Sequence, residues 1–107
     1  MIVMESTAPK KKDWIRIAFI LKELGPMHPE QIQFFFNHLW GNRSRSSREV
    51  AQIIVCYQNK GFQRQEDHRL SDRTLKIYSF ESNMPQISRI TIKRWQENIN
   101  PFRGWNI

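Results

Sequence analysis

The sequence predicts a small α+β domain of three amphipathic helices, a pair of strands and a helical terminal extension. Three observations predict it. Apolar residues recur at helical spacing in two early stretches, and a capping signal announces a third helix. An alternating run follows at 74–80. The 107 residues, 39% hydrophobic and 12% aromatic, suffice for one compact core and are too few for two.

Residues 1–12 lack periodicity and end in Lys10-Lys11-Lys12, which reads as a flexible arm. The first helix is expected from Trp14 to Leu24. Asp13 suits the N-cap, because its carboxylate can accept a free backbone N–H. Trp14, Ile17, Ala18, Leu21 and Leu24 share one stripe. Gly25 and Pro26 then end the helix. The second helix is expected to begin at Pro29, where a missing N–H costs nothing. Ile32, Phe35, Phe36, Leu39 and Trp40 form its apolar face, and Phe34 falls outside that face. Gly41-Asn42 stops it.

Ser46 and Glu49 have the spacing of a capping box, so the third helix starts at Ser47. Val50, Ala51, Ile53, Ile54 and Tyr57 carry it toward Lys60, with Gly61 as its cap. Phe62-Gln63-Arg64 reads as a short strand, 65–73 as a polar loop and 74–80 as the returning strand. Leu75 and Ile77 share one face of that strand, and Lys76, Tyr78 and Phe80 the other. In the extension, Ile92, Trp95 and Ile99 share a helical face, which favours a helix over 87–99 ended by Pro101. Arg89, Lys93 and Arg94 interleave there with Trp95, Phe102, Arg103 and Trp105. That mixture suits stacking on single-stranded bases or burial of Trp95 against the first helix or a second subunit. Packing is the favoured reading.

Composition excludes several classes. A single cysteine, Cys56, rules out an intrachain disulfide framework and a multi-cysteine zinc site. Its place in an apolar helix reads as a small core residue. His28, His38 and His68 match no metal spacing; His28 suits the cap of the second helix. No apolar run approaches the ~20 residues that span a bilayer, and no signal-peptide pattern is seen. A reducing compartment is the expectation, cytoplasmic (nucleoid-associated) or nuclear. No nucleophile elbow, glycine-rich phosphate loop or paired-carboxylate motif occurs. The expectation is a protein that is not an enzyme and needs no cofactor, metal or membrane.

Net charge is +7, and its distribution matters more than its total. Residues 43–64 carry Arg43, Arg45, Arg48, Lys60 and Arg64 against Glu49 alone. Residues 83–107 carry Arg89, Lys93, Arg94 and Arg103 against Glu97. Residues 65–82 are slightly acidic. Clustered charge of this kind favours a polyanionic partner.

The order helix, helix, helix, strand, loop, strand, with Lys60-Gly61-Phe62 closing the third helix, resembles the winged helix-turn-helix superfamily. The resemblance covers about 13–81 and leaves 82–107 as an extension. It implies double-stranded DNA binding, as by a small transcriptional regulator, with the helix at 47–60 entering the major groove. It places Ser47, Arg48 and Gln52 toward the groove. Arg and Gln suit base edges through paired hydrogen bonds, and serine hydroxyls with free helix N–H groups suit phosphates. For Gln52, plain exposure is an equal reading. Arg43, Arg45, Ser46 and Arg64 join the candidate contacts. Arg69 and Arg73 could touch phosphate or a minor groove, although Glu66, Asp67 and Asp72 oppose that. One short helix reads few base pairs, so a homodimer through the extension is plausible. The alternative is an assembly module of a ribonucleoprotein or other multiprotein complex, contacting RNA or protein.

Overall fold

The computed structural model describes residues 8–41, 44–67 and 75–104, with only the backbone of 8–12, 67 and 75. Helix α1 (Ala8–Leu24), α2 (Pro29–Leu39) and α3 (Ser47–Cys56) come first. A 3-10 turn (Gln58–Lys60) leads into an antiparallel hairpin of β1 (Phe62–Asp67) and β2 (Leu75–Phe80). Helix α4 (Arg89–Ile99) and a last 3-10 turn (Asn100–Phe102) complete the described chain.

Helix α1 is the centre. Its residues Ile17, Ala18, Phe19, Ile20 and Leu21 are all buried. Five consecutive positions cover every direction around a helix, so α1 is enclosed by neighbours and not laid on a surface. It starts six residues earlier than the sequence predicts, so 8–12 are helical backbone and not an arm. Pro9 is tolerated in the first turn, where no intrahelical partner awaits its N–H. Asp13 is consequently inside the helix. It is not the N-cap.

Helix α2 starts at Pro29 as predicted, and buries Ile32, Phe35 and Phe36. Gln31 Oε1 accepts the His28 N–H at 2.8 Å, which satisfies one orphan donor of the helix start. His28 stands at the N-cap position, and its Nδ1 lies 3.1 Å from the Lys76 carbonyl oxygen. That partner only accepts, so Nδ1 carries the proton in this contact. Helix α3 begins with the predicted box: Ser46 Oγ accepts the Glu49 N–H at 3.1 Å, and Glu49 Oε1 accepts the Ser46 N–H at 2.8 Å.

In the hairpin, Phe62 pairs with Phe80, Arg64 with Tyr78 and Glu66 with Lys76. These six residues share one face. Near the base that face is apolar and buried, with Phe62 and Phe80 against Trp14 of α1. Toward the tip the same face becomes polar and exposed. Tyr78 also exchanges two backbone hydrogen bonds with Met27, at 2.9 and 3.0 Å, so β2 is bonded on both edges. The strands reach three residues further than predicted on the β1 side. Gln65, Glu66 and Asp67 lack apolar alternation, and cross-strand pairing alone makes them strand.

Gly61, at the entry to β1, has φ +129° and would place a Cβ 2.4 Å from that of Ser82. Both conformation and space demand glycine here. Gly61→Ala is expected to lower stability by about 2–4 kcal/mol. In an S82G background, which removes the obstructing side chain, the cost should fall by half or more. Urea midpoints of the four chains check this, and equal costs in both backgrounds would show that Ser82 is not the obstacle.

The tail is the predicted helix, slightly shorter. Ser88 Oγ caps it, accepting the Thr91 N–H at 3.2 Å. Ile99 and Phe102 are buried. Trp95 meets Phe19 of α1 edge-on at 5.4 Å and Trp40 at 5.2 Å. Phe102 thus belongs to the core, and Trp95, half-buried, packs against it on the first helix.

Candidate functional site

The segment between α2 and α3 is pinned by polar contacts. The Asn37 side-chain amide mimics a backbone partner for Arg45: its Oδ1 accepts the Arg45 N–H at 2.7 Å and its Nδ2 donates to the Arg45 carbonyl at 3.0 Å. The Arg45 guanidinium turns inward to Asp13, with Nη2 and Nε at 2.6 and 2.8 Å from Oδ2. Asp13 is 0% exposed. Arg16, one turn along α1, holds the other carboxylate oxygen at 3.0 Å. Two arginines therefore compensate one buried carboxylate, as a buried charge requires.

This cluster changes what Arg45 is available for. Its side chain is 14% exposed and committed to Asp13, with Glu49 at 3.5 Å. Sequence reasoning placed it on phosphate. The structure makes it an anchor of the α1–α3 junction. Ser46 is committed likewise, since both its hydroxyl and its N–H serve the capping box. The Ser46 backbone N–H holds the Glu49 carboxyl below its ordinary pKa, aided by the Ser46 hydroxyl and Arg45 against the effect of burial. A carboxylate at the start of α3 also opposes an incoming phosphate there.

The outward side of α3 remains open. Arg48, Gln52 and Cys56 are exposed at successive four-residue intervals, which aligns them along one edge of the helix. Val55, 56% exposed, lies beside them. Asn59 continues that side from the 3-10 turn, and Ser47 is half-buried at the start. Cys56 is therefore not the core residue its apolar surroundings suggested. It stands about 200° around the helix from Ile54, and the angle decides over local hydrophobicity.

Across from this edge lies the polar part of the hairpin face. Arg48, Gln52, Val55 and Cys56 of α3, with Arg64, Lys76 and Tyr78 of the hairpin, line an open groove of about 660 Å³. Arg48 and Arg64 are exposed without an ion-pair partner among the described residues. Lys76 has Glu66 directly opposite in the register, which offsets part of its charge. The groove thus combines cations, one amide and a small apolar floor, with the Glu49 carboxylate also in its lining.

Of the nine predicted contacts, Arg48, Gln52 and Arg64 meet in this groove. Arg45 reaches its rim while bonded to Asp13. Ser46 and Ser47 sit at the helix start. Arg43, Arg69, Arg73 and Trp105 lie outside the described residues. Lys76 and Cys56 were missed; their spacing relative to Tyr78 and Arg48 would have placed them. Val55, outward on the helical spacing of the sequence, lies in the groove as that spacing implies. Among the described residues no group of three or more His, Cys, Asp or Glu could hold a metal ion, and no helix is long and apolar enough to cross a membrane. No family model, curated protein or solved structure matches the chain.

Proposed function

We propose that the chain binds double-stranded DNA through α3, in the manner of a winged helix-turn-helix protein. One observation carries the reading. Arg48, Gln52 and Val55 are exposed along α3, and Arg64 and Lys76 of the hairpin flank them across a groove. An α-helix fits the major groove, where Arg and Gln can each make two hydrogen bonds to one base and an apolar side chain can meet a thymine methyl. The hairpin arginine would hold the neighbouring phosphates and set the register. The order of three helices and a hairpin agrees with the resemblance, as does a net charge of +7.

Fluorescence anisotropy with a labelled duplex of random sequence tests it, in parallel with single-stranded DNA and RNA. The intact chain is expected to prefer duplex and to weaken steeply with salt. Arg48→Ala/Gln52→Ala should lose about 10- to 100-fold in affinity at unchanged stability. Arg45→Ala is unsuitable as a probe, since it strikes the buried Asp13 pair. Unchanged affinity in the double variant, or no preference for duplex, would sink the reading.

A separate observation favours an assembly role. Phe34 is 43% exposed on α2, stacks on His38 and meets the buried Phe102 of the last 3-10 turn edge-on. RNA binding without duplex preference in the same titration, together with a stable protein partner in a pull-down, would support that role instead.

A further inference from the structure

Helix α4 has two unlike faces. Its inner face carries Ile92, Trp95 and Ile99 into the core. Its outer face carries Arg89, Ile90, Lys93, Arg94 and Glu97, all exposed, with Ile90 at 74%, so three cations stand there against one carboxylate. Arg89 and Lys93 lie one turn apart, about 6 Å along the axis, and Arg94 flanks them. None of the three cations has an ion-pair partner among the described residues. Arg103, just beyond, differs: its guanidinium pairs with Glu23 and accounts for itself as a tie between the tail and α1.

These cations do not help the helix that bears them. Arg89 is the first residue after the Ser88 cap, and the first turn holds no acidic residue. A positive charge there opposes the positive end of the helix dipole. Arg89 and Lys93 at i and i+4 repel each other. Glu97, one turn beyond Lys93 and Arg94, offsets part of this charge. An excess of two positive charges remains in this row along the face, and a polyanion is what would compensate it. Among the described residues, the aromatic rings that could have stacked on unpaired bases, Trp95 and Phe102, are turned toward the core. Cations without rings recognise a phosphate backbone and carry little base information.

The row also lies apart from the α3 groove. The hairpin base rests on Trp14, while α4 rests on Phe19. Five residues separate the two, which is about 140° around α1. One duplex lying in the α3 groove would have α1 between itself and the α4 row.

We propose that the outer face of α4 is a second, sequence-neutral contact for the phosphate backbone of duplex DNA, so that one chain bridges two duplex segments. The inference rests on the reading of α3 given above. Its test is capture of a labelled duplex by a different duplex fixed to beads, with the intact chain and with Arg89→Ala/Lys93→Ala/Arg94→Ala. Alanine suits an exposed helix, so the variant should fold, and circular dichroism checks that it does. The variant is expected to bind a single short duplex within about threefold of the intact chain and to lose capture at least tenfold. The salt slope of capture should fall by about two to three. Capture that survives the variant, as it would if two copies joined through another face did the bridging, overturns the proposal. So does an equal loss in single-duplex binding, which would place α4 in the α3 site. An intact chain that binds one duplex and never captures a second refutes the bridge while leaving α3 as the reader; one that binds no duplex refutes both.

Discussion

Asp13→Ala is expected to cost about 3–5 kcal/mol, because it leaves two largely buried arginines without their anion. Asp13 is fully buried between Arg16 and Arg45, whose side chains are only 13% and 14% exposed. A chain of this size has about 5–15 kcal/mol of total stability, so the loss is a large share of it. The melting midpoint should drop by upwards of about 10 °C. Asp13→Asn should cost nearly as much, since it preserves shape and loses charge. Asp13→Leu/Arg16→Met/Arg45→Met should cost less than Asp13→Ala alone, because all three charged members are then replaced by apolar groups. Urea unfolding with an unchanged slope measures all three. A cost below about 1 kcal/mol for Asp13→Ala would show that the cluster does not hold the junction.

Trp95→Ala is expected to cost about 3 kcal/mol, the low end for a large aromatic because the ring is only partly buried. Its ring contacts Phe19 and Trp40 edge-on, and the Arg16 guanidinium lies 5.8 Å from its centroid and 5.7 Å from that of Trp40. Edge-on pairs and a cation near the rings add to the area buried. Unfolding followed by far-ultraviolet circular dichroism and by tryptophan fluorescence should give coincident transitions, as one cooperative unit does. If α4 were an appendage, the variant would cost under about 1 kcal/mol and the rest of the chain would melt as before. Arg16 touches both Asp13 and Trp95, so the two substitutions should not add; a coupling of at least about 0.5 kcal/mol is expected in the double variant.

What could be read from the sequence was local. The Ser46–Glu49 box, the start at Pro29 and the stripe of Ile92, Trp95 and Ile99 rest on signals that lie within seven residues of one another. They appear in the structure where expected. Asp13 was misread because its partner Arg45 is 32 positions away. A carboxylate before an apolar stripe looks like a cap until the helix is seen to begin at Ala8. Arg45 was misread for the same reason, as an exposed cation in a serine-rich link. Cys56 was misread by chemistry, although its angle around α3 pointed outward. The extra strand residues of β1 carry no apolar signal, so only pairing reveals them. For the candidate groove, Arg48, Gln52 and Arg64 were legible, whereas Lys76 joins them only through the hairpin register.

The enclosure of α1 also bears on how the chain comes to be folded during synthesis. Helix α1 is made before anything that covers it. Its run from Ile17 to Leu21 has no dry side to rest on until α2 follows, and Phe19 stays open until Trp95 emerges from the ribosome. The earlier segment is thus completed by a much later one. A ribosome stalled before residue 95 holds a chain whose central helix is still partly wet, a natural surface for a chaperone to occupy.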